Sequence, residues 1–264
     1  MPAFTDQLGR TIVLPGIPRR IISLVPSQTE LLHTLGLDKA VVGITKFCVH
    51  PESWFRTKTR IGGTKAVDAA RIDALQPDLI IANKEENDRH QVEALASRYP
   101  VWVSDIKTLP DALAMIRSVG ALTGTTAAAD TLATEIANSF ANLDTPPERP
   151  RTAYLIWRKP WMAAGGDTFI HHMLEQAGFL NVFDGQNRYP EVDLNHMAHA
   201  GCPVILLSSE PYPFRQQHID EIREVMPHAK VLLVDGELFS WYGSRLLYAP
   251  DYFRQLQMEI RATT

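Results

Sequence analysis

The sequence lacks the features that mark several large classes of protein. It contains only 2 cysteines among 264 residues, which is too few for a disulfide-rich scaffold. No stretch of 18 uncharged apolar residues occurs, so we expect no membrane insertion. Asp and Glu (30) outnumber Lys and Arg (26), and this lack of a basic excess argues against nucleic-acid binding. The prolines and glycines form no repeat, which excludes a collagen-like or low-complexity chain.

The amino terminus shows no basic segment followed by an apolar segment and a cleavage site, so it does not resemble a secretory signal. As written, the sequence predicts a cytoplasmic protein. The same sequence would suit a periplasmic or surface-exposed protein from which a signal had been removed. A chain of this length can bury one large core or two smaller ones.

Short apolar runs alternate with helical segments through the first half of the chain. Residues 21–25 form a β-branched apolar run, which predicts a buried strand. The Ser27-x-x-Glu30 spacing that follows is typical of a capping box, and Gly36 is placed to end the helix. Uncharged strands separated by helices indicate parallel β-α units with both sheet faces covered. Further strands are predicted at 41–44, 79–82 and 101–103.

The middle of the chain has no strand signal. Between Pro110 and Leu143 the apolar residues recur at helical spacing, and Thr125 or Thr126 is placed to cap a second helix. A helix of about 18 residues spans about 27 Å, which is long enough to join two lobes. A polar connector stiffened by proline follows at 144–150.

Strand and helix signals then resume. We predict strands at 152–157, 204–207 and 231–234, and helices at 168–176 (with Asp167 as N-cap), 218–225 and 252–260. The predicted fold is α/β, with two Rossmann-like lobes that contain parallel sheets, one long interlobe α-helix that joins them, and a ligand cleft between the lobes. The predicted divisions are an amino-terminal lobe (1–108), a linking helical segment (109–149) and a carboxy-terminal lobe (150–264).

Candidate binding residues follow the predicted strands, because open parallel sheets bind ligands beyond the carboxyl ends of their strands. This set is rich in aromatic and cationic side chains, which suit a flat or bulky ligand with negative or hydrogen-bonding groups. The predicted ligand-binding residues are Gln28, Lys46, Phe47, Lys84, Trp157, Arg158, Trp161, Tyr212, Trp241, Tyr242 and Arg245.

Two other kinds of site remain open from the residues alone. Cys48 and His50, with His171, are candidate ligands for a bare metal ion, which would make the chain a metal binder or metallochaperone. The alternative interpretation is that these histidines are structural and form hydrogen bonds within the protein. Glycine-rich nucleotide loops and nucleophile elbows are absent, so no catalytic residue is predicted. A chelatase-like enzyme that acts on a tetrapyrrole is the remaining catalytic alternative.

Three stretches of the sequence resemble one known family. The segments 5–12, 18–30 and 72–81 are similar to those of the helical-backbone solute-binding proteins, the vitamin B12 and ferric-siderophore receptors of bacterial ABC importers. The resemblance extends over nearly the whole chain and implies two α/β lobes with a rigid helix between them. It implies reversible, non-catalytic binding of a metal chelate, either a corrinoid or an iron chelate, with no covalent cofactor.

The resemblance also implies an ABC-type permease as a partner, which family members contact through one glutamate on each lobe. Here Ala70 and Asn195 occupy the two matching positions. Four neighbouring acids are the candidate replacements for these docking residues. They are Asp68, Asp73, Glu191 and Asp193.

Overall fold

The computed structural model describes residues 1–144, 146, 148–199 and 201–262. The chain forms two compact units. The first comprises Met1–Ile106, Pro110–Ala137 and Tyr242–Arg245, and the second comprises Lys107–Leu109, Asn138–Trp241 and Leu246–Thr264. Within the described ranges, no helix has both the length and the apolar character required to cross a membrane.

The first unit contains a five-stranded parallel sheet with the strand order β5-β4-β3-β6-β7. A separate antiparallel pair, β1 and β2, precedes it. The strands are β1 (Ala3–Thr5), β2 (Thr11–Val13), β3 (Ile21–Ser23), β4 (Val41–Ile44), β5 (Thr59–Arg60), β6 (Leu79–Asn83) and β7 (Val101–Ser104). The helices between them are α1 (Pro26–Thr34), α2 (Glu52–Thr57), α3 (Ala69–Leu75) and α4 (Arg89–Ala96). The central strands β3 and β6 are buried throughout, as their uncharged sequences predict.

Two helices follow, α5 (Leu109–Thr123) and α6 (Thr126–Ala141), and the division between the units lies inside α6, after Ala137. The predicted linking segment is therefore a pair of helices, of which the second contributes residues to both units. Gly124 separates them with a φ of +73°, a conformation that glycine adopts without strain. Gly120 allows their close approach, because a Cβ there would lie 2.3 Å from the Cβ of Ala129.

The second unit contains a parallel sheet with the order β10-β8-β11-β12, and β9 pairs antiparallel with β8. Its core joins the inward residues of these strands to α8 and α9. The strands are β8 (Arg151–Trp157), β9 (Met162–Ala163), β10 (Leu180–Asn181), β11 (Val204–Ser208) and β12 (Lys230–Val234). The helices are α7 (Phe169–Gln176), α8 (Leu194–His199), α9 (Gln216–Val225), α10 (Glu237–Ser240) and α11 (Ala249–Ala262), with a 3-10 turn at Ser244–Leu247.

Four predicted helix starts are wrong. Helix α9 begins at Gln216, two residues before the predicted start, and α11 begins at Ala249, three residues before it. The starts of α1 and α7 are wrong as well. Helix α1 begins at Pro26, and no side chain caps it, so Ser27 lies inside the first turn and forms no capping box. Proline's fixed φ and missing N–H favour the first helical position, which moves the start ahead of the serine. Helix α7 is capped by Thr168, whose Oγ1 accepts a hydrogen bond from the backbone N–H of His171. Asp167 instead accepts one from the backbone N–H of Arg188.

Gly166 holds two loops of the second unit in close contact. A Cβ at Gly166 would lie 1.9 Å from the carbonyl oxygen of Asp184, so we expect Gly166→Ala to force the backbone apart and to lower the free energy of unfolding by about 2–3 kcal/mol. Gly185→Ala is the matched control, because a Cβ there meets nothing within 4 Å. Urea denaturation of both variants measures the difference. Equal stabilities would show that the loop contact is not tight.

Candidate functional site

The carboxyl ends of β3, β4, β6 and β7 lie at one edge of the first sheet, here called the first edge. Ser104, at the end of β7, joins the loops of this edge. Its Oγ accepts hydrogen bonds from Gln28 Nε2 (2.6 Å) and from Asn83 Nδ2 (2.9 Å). Gln28, a predicted ligand contact, is fully buried. Its amide holds the segment after β3 against the end of β7 through the hydrogen bond to Ser104.

Two of the predicted cations of the first unit, Lys84 and Arg245, form ion pairs. Lys84 Nζ lies 2.5 Å from Asp105 Oδ2. Arg245 forms a bidentate ion pair with Glu30, with N···O distances of 2.6 and 3.0 Å. Because Lys84 and Arg245 each lie beside a carboxylate, their combined field on a bound ligand is small.

Phe47 presents the exposed ring of the first edge. Its side chain is 51% exposed, and Lys46 Nζ lies 5.1 Å from the ring centroid, within cation–π distance. Gly63 supports this pair, since a Cβ there would lie 3.2 Å from the Phe47 ring. The pair provides an apolar surface next to a positive charge.

Cys48 lies beneath the first edge and is fully buried. Burial raises the pKa of its thiol, and hydrogen bonds with Thr29 and Thr45 offset this only in part. A metal ligand must be the thiolate, so a raised pKa weighs against the bare-metal hypothesis. Among the described residues, no group of three or more His, Cys, Asp or Glu side chains is arranged to hold a metal ion. His171, in the second unit, lies 3.3 Å from the Asn181 amide.

The second edge comprises the carboxyl ends of β8, β11 and β12 with their loops. Four aromatic rings cluster there. Trp157 packs edge-on against Tyr212, with centroids 5.5 Å apart, and Trp161 stacks on Phe214 at 5.9 Å with a 5° interplanar angle. Tyr212 and Phe214 join the two pairs at 4.8 Å. Trp157 is 39% exposed, so this cluster offers a rigid apolar surface to a ligand.

His218 orients this cluster and was not predicted. Its Nδ1 accepts a hydrogen bond from the backbone N–H of Arg215 at 2.9 Å, which leaves Nε2 as the N–H that reaches the Tyr212 hydroxyl at 3.2 Å. The ring also packs edge-on against Tyr212 and Phe214. The predicted cation of this edge, Arg158, is likewise engaged: its Nε donates to Glu221 at 2.7 Å, and its guanidinium lies 5.2 Å from the Trp161 ring.

Trp241 is buried at 6% exposure, and Glu210 holds it in place. Glu210 Oε1 accepts hydrogen bonds from Trp241 Nε1 at 2.8 Å and from Ser240 Oγ at 2.7 Å. Burial raises the pKa of the Glu210 carboxyl, the nearby acids Glu237 and Asp235 raise it further, and the two hydrogen bonds oppose the shift. Glu210 is not among the predicted ligand-binding residues. Its place two residues after β11, beside the predicted Tyr212, was the available signal.

The candidate docking acids of the first unit are already engaged. Asp68 accepts a hydrogen bond from the backbone N–H of Arg71 as the N-cap of α3 and forms an ion pair with the same residue. Asp73 accepts a hydrogen bond from the Tyr99 hydroxyl at 2.7 Å and forms an ion pair with Arg98. Ala70 is exposed on α3. In the second unit, Glu191, Asp193 and Asn195 are exposed at and before the start of α8.

The structure thus brings together, at the carboxyl edge of each sheet, most of the side chains that the sequence selected. Gln28, Lys46, Phe47 and Lys84 follow β3, β4 and β6 at the first edge. Trp157, Arg158, Trp161 and Tyr212 meet at the second. Tyr242 and Arg245 group with the first unit, and Trp241 groups with the second. Their roles in ligand binding stay predictions.

We expect Cys48→Ser to leave the zinc affinity unchanged, because the buried thiol is protonated at neutral pH. Isothermal titration of both proteins with ZnCl₂ at pH 7 measures this affinity. Stoichiometric zinc binding that disappears in the variant would contradict the assignment and would restore the bare-metal hypothesis.

We expect Glu210→Gln to stabilise the protein at neutral pH but not in acid. The pKa of Glu210 is higher in the folded state than in the unfolded state. The wild type therefore has its greatest stability, relative to the variant, at pH values below the unfolded-state pKa of Glu, about 4.3. That relative stability is lost as the pH rises through the folded-state pKa. Urea denaturation at pH 4 and pH 7 measures it; a constant difference at both values would mean that Glu210 ionises normally.

The chain is similar in sequence to known binding proteins. The sequence profile described as "Periplasmic binding protein" matches residues 21–226. The vitamin B12-binding protein of Pectobacterium carotovorum subsp. carotovorum is 25% identical over 246 residues, which cover 88% of this chain and 86% of that protein. The cobalamin-binding protein of Halobacterium salinarum is 27% identical over 197 residues, 71% of this chain and 53% of that protein.

Solved structures share the fold. The periplasmic vitamin B12-binding protein BtuF of Vibrio cholerae superposes with a TM-score of 0.76 at 20% identity and covers 92% of this chain and 99% of its own. The periplasmic heme-binding protein RhuT of Roseiflexus sp. RS-1 gives 0.75, also at 20% identity, with 91% and 99% coverage. The predicted α/β fold with parallel sheets is therefore confirmed.

Proposed function

This chain belongs to the periplasmic binding protein family, and on that premise we propose that it binds a metal chelate reversibly and performs no chemistry on it. Within the two ligand classes that the sequence suggested, we propose a corrinoid rather than a ferric siderophore. The proposal extends to this chain the kind of ligand for which its vitamin B12-binding and cobalamin-binding relatives are named. It also assigns the chain to the periplasm, the compartment that its structural neighbours' names give.

The observation that carries this proposal is the charge balance of the edge residues. Of the four predicted edge cations, three lie in ion pairs: Lys84 with Asp105, Arg158 with Glu221 and Arg245 with Glu30. A ferric siderophore with several negative charges gains most from unpaired cations, because an ion pair cancels most of the field that would attract the anion. A corrinoid instead presents a broad, nearly neutral ring with amide side chains, and its binding requires no unpaired cation.

The exposed rings supply the contact area that such a ligand requires. Phe47 is 51% exposed and Trp157 is 39% exposed, and each lies at a carboxyl edge. Trp157 is braced by Tyr212, which His218 holds in turn, so little side-chain entropy is lost when a ligand packs on it. Large, preorganised aromatic surfaces of this kind typically supply most of the binding free energy at an interface.

Delivery to an ABC-type permease is the second part of the proposal. Structural neighbours are named as parts of ABC transport systems for molybdate and for Fe³⁺-hydroxamate. Ala70 and Asn195 leave no glutamate at the positions that the family resemblance implies, and Asp68 and Asp73 are held by Arg71 and Arg98. The proposal therefore assigns docking in the first unit to contacts other than an exposed carboxylate.

A thermal-shift panel of dicyanocobinamide, cobalamin, haem, a ferric tris-catecholate and bare divalent metals tests the ligand class. At a hundred times its dissociation constant, a ligand that binds only the folded state adds about 2.7 kcal/mol to the stability. We expect this stabilisation with the corrinoids. Stabilisation by the ferric tris-catecholate alone would reject the corrinoid, and stabilisation by a bare metal alone would reject chelate binding.

We expect Trp157→Ala to weaken corrinoid binding by about 1–3 kcal/mol, because it removes an exposed, braced ring from the second edge. Leu180→Ala is the control: Leu180 is 45% exposed but pairs with Arg151, at the opposite end of β8 from Trp157. Absorbance titration with dicyanocobinamide compares the three proteins. An unchanged dissociation constant in Trp157→Ala would remove that residue from the site.

A further inference from the structure

We propose that Glu210 is a ligand-binding residue of the second edge and that its Oε2 accepts a hydrogen bond from an amide group at the periphery of the bound chelate. This inference rests on the proposed function and narrows it. It assigns selectivity for amide-bearing chelates over carboxylate-bearing ones to a single side chain, which neither the sequence pattern nor the family resemblance selected.

The geometry fixes one oxygen of the carboxylate and leaves the other available. Oε1 accepts both hydrogen bonds that the protein supplies, from Ser240 Oγ and Trp241 Nε1. Oε2 accepts none within the described residues and keeps access to solvent. Two donors on one oxygen prevent the group from rotating, so Oε2 has a fixed direction before any ligand arrives.

Close backbone contacts hold the Glu210 side chain in place. A Cβ at Gly236 would lie 2.9 Å from Glu210 Cγ and 2.3 Å from Ser208 Oγ, so only glycine permits this approach. Ser208 Oγ also donates to the Glu210 carbonyl oxygen. The loops after β11 and β12 therefore position the side chain jointly, as a preorganised binding group requires.

Glu210 also differs from three of the predicted edge cations in its charge environment. Lys84, Arg158 and Arg245 each have a carboxylate partner. Within the described residues no basic side chain forms an ion pair with Glu210, although it is largely buried, and the charged neighbours that most affect it are the acids Glu237 and Asp235. A largely buried carboxylate in this setting is costly unless donors compensate it. An N–H donor on the ligand would add a third hydrogen bond to this carboxylate, at Oε2.

The chemistry of this acceptor selects among chelates. A carboxylate attracts an amide N–H and repels another carboxylate, so peripheral amides would bind where peripheral acids would not. Trp241, anchored on the same side chain, lies alongside. The preferred ligand is therefore a ring chelate whose side chains are amides, as in a corrinoid, and not one whose side chains are carboxylates, as in haem.

Two corrinoids that differ only in their side chains test this selectivity. Dicyanocobinamide carries amides, and dicyanocobyrinic acid carries carboxylates on the same ring with the same metal. Absorbance titrations in 0.3 M NaCl, which screens long-range charge, give both dissociation constants for the full chain at pH 7.5. We expect the wild type to prefer the amide form by at least about tenfold.

Glu210→Gln replaces the proposed hydrogen-bond acceptor with a donor and keeps the two hydrogen bonds to Ser240 and Trp241. The glutamine oxygen still accepts from Trp241 and Ser240, while its NH₂ replaces Oε2 and becomes a donor. We expect the preference for the amide form to fall by about tenfold in this variant. Glu224→Gln is the matched control, because it removes the same charge from an exposed position on α9, and there the preference should stay as in the wild type.

The outcomes separate this inference from the proposed function. If the wild type binds neither corrinoid, the proposed function fails. If it binds both equally, or if Glu210→Gln and Glu224→Gln keep the wild-type preference, Glu210 does not select the ligand and only the further inference is overturned. The wild-type preference is measured without any variant, so a Glu210→Gln protein that failed to fold would leave that part of the test intact.

Discussion

Parallel strand pairing is the constraint on which each unit depends. In a parallel sheet every strand runs in the same direction, so all the loops that follow the strands meet at one edge. In the first unit this brings Gln28, Asn83 and Ser104 into one hydrogen-bonded group, although they are separated by as many as 76 residues in the chain. In the second unit it brings Trp157 against Tyr212 and Trp241 against Glu210. The proposed binding chemistry follows from these contacts.

Charge compensation then decides what kind of ligand each edge suits. The predicted cations Lys84, Arg158 and Arg245 each lie against a carboxylate. Rings therefore provide the main exposed contact surface, and Glu210 provides an acceptor of fixed direction. An apolar surface with a directed acceptor matches a large ring that carries amides better than it matches a compact anion.

The fold could be predicted because it depends on local pattern. Uncharged β-branched runs such as 79–82 are buried strands wherever they lie in a parallel sheet, and the structure confirms them. Helix starts are harder to predict, because adjacent residues can each begin a helix. Pro26 begins α1 in place of Ser27, and Thr168 caps α7 in place of Asp167. Short elements such as β9 and β10, of two residues each, are too brief to leave a pattern.

The partners of the site residues could not be predicted, because they come from distant parts of the chain. Glu30 and Arg245 are 215 residues apart, and Arg158 and Glu221 are 63 apart. The strand-end pattern indicated four basic residues as ligand contacts and could not show that acids neutralise three of them. Glu210 was missed for the same reason, since its partner Trp241 is 31 residues away. His218 contacts Tyr212 only six residues away, but no sequence pattern marks a histidine as the partner of a neighbouring tyrosine.

The central claim is that the edges suit a nearly neutral ring chelate and not a polyanion. Competition between dicyanocobinamide and a ferric tris-catecholate of charge −3 tests it most directly. Equilibrium dialysis in 0.05 M NaCl gives the anion its greatest electrostatic advantage. We expect the corrinoid to bind more tightly by at least about tenfold. Equal or tighter binding of the tris-catecholate would contradict it.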